Sequence, residues 1–194
     1  MAKADPEASK REKRNHIRWV VTIFFITIFI SGTISMLSDM LMGKSSMLVA
    51  FLILLVIILI GIIFDIIGMA VATADEKPFH AMAARKVPGA KACIRLLRNA
   101  ERVSSICNDV VGDICGVVSG SASATIAAQI LRNFEFKWPQ IVGLLMSAFC
   151  AGLTVGGKAI GKSFAVNSCT QIVHTVGKLI FWLENLTKRP EKKK

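Results

Sequence analysis

Three polar residues sit where they are expensive. The segment 103–130 reads VSSICNDVVGDICGVVSGSASATIAAQI, apolar and small enough to be a membrane helix, yet it holds Asn108, Asp109 and Asp113. A fourth, Asp65, interrupts the apolar run 45–74. Ionisable groups at membrane depth face a bundle interior or a wet cavity, and they mark ion paths, proton relays or fixed charge pairs. Asp109 and Asp113 lie one helical turn apart and share a face, whereas adjacent Asn108 and Asp109 point about 100° apart. Amide and carboxylate oxygens are the hard ligands that Mg2+ prefers. Two basic residues, Lys158 and Lys162, stand at the end of another apolar run. Two readings follow from these residue types. In one, Asn108, Asp109, Asp113 and Asp65 line a cation or proton pathway. In the other, Asp113 or Asp65 pairs with Lys158 or Lys162 and fixes helix register.

Enzymatic chemistry finds little support. There is no histidine-based triad, no P-loop and no Cys-His pair at useful spacing. His16, His80 and His174 are scattered, and none of the five cysteines forms a C-x-x-C pair, so disulfides and a Cys-His metal site are not expected. His174 is expected on an amphipathic helix at the membrane surface.

The elements that must position these residues are membrane helices. Of 194 residues 53% are hydrophobic, and the mean hydropathy is +0.56, more apolar than a soluble domain needs. Runs 19–38, 45–64 and 138–157 are each uncharged for 20 residues, and 103–130 is the fourth span. About 20 residues at 1.5 Å rise match a hydrocarbon core of about 30 Å. The fold class is therefore all-α: a polytopic integral membrane protein with about four transmembrane helices plus juxtamembrane amphipathic helices. The first run is too long for a cleavable signal and lacks an A-x-A site, so it reads as an uncleaved anchor.

The net charge of +11 is a topology signal rather than a nucleic-acid footprint. Lysine and arginine number six in the N-terminal tail, seven in the middle loop and eight after the last span, against one and two in the loops between. The positive-inside rule places both termini in the cytoplasm of a multi-pass cell-membrane protein. No basic-aromatic interleaving supports nucleic-acid binding. The lipid bilayer is the expected partner. Arg85, Lys86, Lys91, Arg95 and Arg98 are expected to meet its headgroups from short amphipathic helices divided at Pro88–Gly89. A docking helix for a soluble partner fits the same pattern. Asn99 is the expected N-cap of the third span.

Along the chain, residues 1–16 read as a disordered basic cytoplasmic tail and 17–41 as an additional N-terminal transmembrane helix. The main membrane domain is 42–186, and 187–194 form a second basic tail. The run from Met47 to Ala74 is longer than a bilayer needs, so it is expected to tilt or to break near Asp65–Gly68. Small residues recur at Gly112, Gly116 and Gly120, a smooth stripe expected to pack on another helix. A fifth span over 163–183 is the alternative to an interfacial helix; charge bias opposes it.

Three strings in order resemble the transmembrane domain of the cyclin M / CorC family of magnesium-transport proteins, also called domain of unknown function 21. Leu96–Leu97–Arg98–Asn99–Ala100–Glu101–Arg102 is similar to the family's L-L-x-N-P-E-R segment. Ser104–Ser105–Ile106–Cys107–Asn108 lies where the family has S-T-x-x-x-G-N, with Asn108 as the membrane-embedded Asn. Gly157–Lys158–Ala159–Ile160–Gly161–Lys162 is similar to G-E-x-x-P-K. The resemblance covers residues 47–186, is to the transmembrane domain without its CBS modules, and implies a dimer with Mg2+ as the divalent cation. This chain departs from the pattern at four places. No Ser-Glu pair aligns over 64–70, the second Asn falls on Gly112, the proline on Gly161, and the acid on Lys158. That last change puts a fixed cation where a cation ligand is expected. The resemblance thus carries two expectations: a divalent-cation transporter, or a non-transporting partner or regulatory subunit with a degenerate ion site.

Overall fold

The computed structural model describes residues 6–43, 45–134 and 137–187. The basic tail expected at 187–194 lies outside these residues except for Thr187, as do residues 1–5 of the first tail.

Four helices among the described residues are long and apolar enough to cross a membrane, and the chain is an all-α polytopic membrane protein. The first span lies in α1 (Pro6–Gly43), followed by α2 (Met47–Thr73). The short α3 (Lys77–Ala84) and α4 (Ala90–Arg98) come next. A long rod then runs through α5 (Ala100–Ser105), a π-helical stretch (Ile106–Val111) and α6 (Gly112–Asn133). The chain closes with α7 (Pro139–Asn167) and α8 (Cys169–Thr187).

One expectation is corrected here, and one of two alternatives is removed: of the tilt or break expected for α2, the break is absent. Helix α1 already begins at Pro6, so most of the expected disordered tail is helical. Its Glu, Lys and Arg residues are strong helix formers and simply extend the span. Helix α2 is unbroken through Asp65 and Gly68. The irregular turn falls instead in the third span, at the π-helical stretch that carries Asn108 and Asp109. The expected divide at Pro88–Gly89 is present. Pro78 opens α3 from its first turn, and Gly89 takes the left-handed conformation, φ 85°. Asn99 makes no side-chain N-cap bond; its amide donates to Arg95 O at 2.9 Å and closes α4 instead.

Helix α2 is the axis of the bundle and packs against α6, α7, α8 and the start of the third span. Helix α1 is peripheral and lies along α6. Two apolar cores result. One joins Met42, Ala50, Leu54 and Ile58 to Ala122, Ile126 and Cys150. The other joins Ala70 and Val71 to Phe79, Cys93, Leu97, Ala165 and Val173. On α2 the gap between them, Ile58 to Ala70, contains Asp65 and so defines a polar layer.

Helix α8 is not among the four candidate spans; it packs on α4 and α2. Gly177 of α8 is buried against the Cys93 thiol of α4 and the O atom of Gly89, which precedes α4, where a side chain has no room. Cys93 donates to Val173 O at 3.4 Å, and burial pushes its thiol pKa up. Arg95 pairs with Glu184 at 2.7 Å across the same two helices. This exposed pair orients rather than stabilises, since such pairs contribute about 0–1 kcal/mol.

Candidate functional site

The polar layer is built by close approach of backbones. Gly157 and Gly161 of α7, one turn apart, meet the side chains of Ile62 and Ile66 on α2. A Cβ on Gly161 would lie 2.8 Å from Ile66 Cγ1. This lets α7 lie against α2 and brings Lys158 to Asp65. The Lys158 Nζ to Asp65 Oδ1 distance is 3.6 Å, with the Lys158 side chain 24% exposed and that of Asp65 7% exposed. On the other side of α2, Gly68 receives the Asn108 amide; a Cβ there would lie 2.8 Å from Asn108 Cγ. Gly61 similarly faces Cys115, with 2.9 Å from an added Cβ to Cys115 Cβ. Gly112 is buried and looks at Lys158, whose Nζ would lie 3.2 Å from an added Cβ.

Within this layer Asn108 Nδ2 donates to Ser104 Oγ at 3.2 Å. Among the described residues no group donates to the buried Asp65 Oδ2 or Asn108 Oδ1. Buried oxygens of this kind are rare and costly when left unsatisfied. Asn108 is carried by the π-helical stretch, and such stretches recur at functional sites.

The four expected oxygen ligands therefore divide into two sets. Asp65 and Asn108 belong to the buried layer. Asp109 and Asp113 are exposed, outside that layer, and Asp109 accepts a hydrogen bond from Ser105 Oγ at 2.8 Å. Their separation follows from the roughly 100° between neighbouring helical positions. Of the two candidate lysines, Lys158 makes the buried pair and Lys162 is exposed. The pair expected between either lysine and Asp113 or Asp65 is resolved to Lys158 and Asp65. Among the described residues there is no group of three or more His, Cys, Asp and Glu side chains that could hold a metal ion. The donor set around Asp65 does not fit a resident divalent cation while an ammonium stands 3.6 Å from its carboxylate.

The glycine stripe is also divided. Gly112 packs, but Gly116 and Gly120 are exposed, with no atom within 4 Å of an added Cβ. The face of α6 that packs within the chain carries Ile114, Val118, Ser119, Ala122, Ser123 and Ile126. Its buried hydroxyls are satisfied locally, Ser119 donating to Gly116 O at 2.9 Å and Ser123 to Gly120 O at 2.8 Å. Sequence reasoning missed the α7 glycines as the contact that matters. Their small-x-x-x-small spacing is the signal that finds them. The basic residues Arg85, Lys86, Lys91, Arg95 and Arg98 are all exposed on or beside α3 and α4.

Comparison of the chain with protein families, with curated proteins and with solved structures found no match.

Proposed function

We propose that this protein is a non-transporting membrane partner or regulatory subunit whose polar centre is neutralised by its own lysine. The observation that supports this reading is the Lys158 ammonium 3.6 Å from the buried Asp65 carboxylate. A tethered cation in that position repels a divalent ion and leaves Asp65 no net charge to offer it. The positive-inside bias places both termini in the cytoplasm, with α3, α4 and α8 at the inner surface. There the five exposed basic residues meet anionic headgroups. The test is Mg2+ flux into liposomes carrying an internal Mg2+ dye. The expected result is uptake equal to that of empty liposomes. Uptake clearly above them overturns the proposal.

That outcome would favour the second reading, a divalent-cation transporter for Mg2+. Its support is the pair of buried oxygens, Asp65 Oδ2 and Asn108 Oδ1, that no described group satisfies. In that reading Lys158 leaves Asp65 during the cycle and the ion replaces its ammonium.

The protein is also proposed to be a homodimer through the outer face of the third span. Asp109, Asp113, Gly116 and Gly120 are all exposed there. Carboxylates at membrane depth are costly against lipid, and small residues permit a second helix to approach. Because an added side chain at Gly116 meets nothing within the protomer, Gly116→Leu is expected to keep the protomer's helical content and thermal midpoint while dissociating the dimer in detergent. Light scattering of the purified variant reads the mass directly; an intact dimer moves the seam elsewhere.

A further inference from the structure

Helix α1 is joined to the third span by two hydrogen bonds near its C-terminus. Asp39 Oδ1 accepts a hydrogen bond from Thr125 Oγ1 at 3.3 Å, and Met42 O accepts one from Gln129 Nε2 at 2.8 Å. These contacts show that α1 and the third span run in the same direction. Towards the other end, α1 stands off from α2 and the π-helical stretch, leaving a crevice of about 410 Å³. Its walls are aliphatic apart from the Cys115 thiol: Ile23, Ile30 and Ile34 from α1, Ile57 from α2, and Ile106 and Val110 from the π-helical stretch.

Length and charge identify the occupant. From Ile23 to Ile34 is eleven residues, about 16 Å of helix, close to the roughly 15 Å of one leaflet's hydrocarbon. The crevice thus runs the depth of a single leaflet. Its mouth is basic. Arg18 lies about 7 Å of helix rise before Ile23, and Arg102 about 6 Å before Ile106; both are exposed. The register set by Asp39 and Thr125 places the two arginines at nearly the same depth. A slot lined by aliphatic side chains takes a hydrocarbon chain, and exposed arginines at the depth of the headgroups take a phosphate.

We propose that this crevice is a built-in site for one anionic phospholipid of the arginine-side leaflet. One acyl chain lies between α1 and the π-helical stretch, and the headgroup phosphate lies between Arg18 and Arg102. The lipid completes the packing of α1 along the crevice. It also seats a hydrocarbon chain against the turn that carries Asn108.

Native mass spectrometry of the full protein tests this, after reconstitution into phosphatidylglycerol and phosphatidylcholine with identical chains and extraction in neutral detergent. The wild type is expected to retain one phosphatidylglycerol per protomer in preference to phosphatidylcholine. Arg18→Gln and Arg102→Gln are each expected to reduce that preference about fivefold. Ile30→Trp fills the slot and is expected to abolish retention of both lipids, whereas Ile141→Trp, on the exposed face of α7, retains them. Ile106→Phe narrows the slot from the opposite wall and serves where Ile30→Trp does not fold. Equal retention of the two lipids by the wild type overturns the proposal. So does undiminished retention in a folded slot-filling variant. Displacement of the lipid by glycerol phosphate alone also overturns it, because the chain would then contribute nothing.

Discussion

Lys158→Met is expected to destabilise the folded protein by about 3–5 kcal/mol, the cost of stranding one member of a buried ion pair. Asp65 keeps only 7% of its side-chain exposure, and its second oxygen has no donor among the described residues. Without the ammonium it is a bare carboxylate between two apolar cores. Asp65→Leu removes the other partner and is expected to cost less. The lysine stem is 24% exposed and lies near the end of α7, so its ammonium can snorkel towards headgroups. The double variant Asp65→Leu with Lys158→Met is expected to return close to parent stability, because a buried pair replaced by apolar residues of similar volume is often neutral. Unfolding midpoints of the four proteins in one detergent close the cycle. A Lys158→Met midpoint indistinguishable from the parent would mean that the ammonium does not compensate Asp65. The proposal of a self-neutralised centre would fall with it.

How far the sequence reveals this arrangement depends on the range of the physics involved. The four spans are legible because each is a local property: about 20 residues of apolar side chains match the bilayer without reference to any neighbour. The helical start at Pro6 is also local, but that segment is polar and has no apolar periodicity to announce a helix; only the propensity of its Glu, Lys and Arg residues does. The partner of Lys158 is different. Asp65 and Lys158 are far apart in the chain, and their meeting depends on Gly157 and Gly161 lying against Ile62 and Ile66. Sequence alone names the candidates for such a pair and leaves the choice between Asp65 and Asp113 open. The glycine stripe of the third span shows the same limit. Its smoothness is visible, but which face of the rod meets α2 is set by the whole bundle, and Gly116 and Gly120 end outside it. The π-helical stretch has no compositional signature. One extra residue per turn leaves apolar content unchanged, so nothing in the composition of Ile106–Val111 announces it.

Reversing one charge in the layer is expected to change its chemistry rather than only its stability. Lys158→Glu removes the tethered cation and adds a carboxylate beside Asp65, with Asn108 Oδ1 in the same layer. In the absence of metal the two acids repel, and the variant is expected to melt below the parent. Magnesium offers the hard charge that such oxygens favour, so the variant is expected to gain stability with Mg2+ concentration. A site of about 0.1 mM affinity examined at 10 mM Mg2+ gains about 2.7 kcal/mol, several degrees in the thermal midpoint. The parent is expected to show no saturable response. Exposed Asp109 and Asp113 supply the control: with both changed to Asn, the response of Lys158→Glu should persist, because those carboxylates lie outside the buried layer. If the response vanishes with them, the metal has bound the outer face and the buried layer remains a charge pair in either form. If the parent itself responds to Mg2+ and Lys158→Glu abolishes the response, the lysine is part of a working ion site. The transporter reading then displaces the one favoured above, with ligands other than a Glu at position 158. The experiment thus reads whether the polar layer is a lock or a doorway, and Lys158 alone decides which.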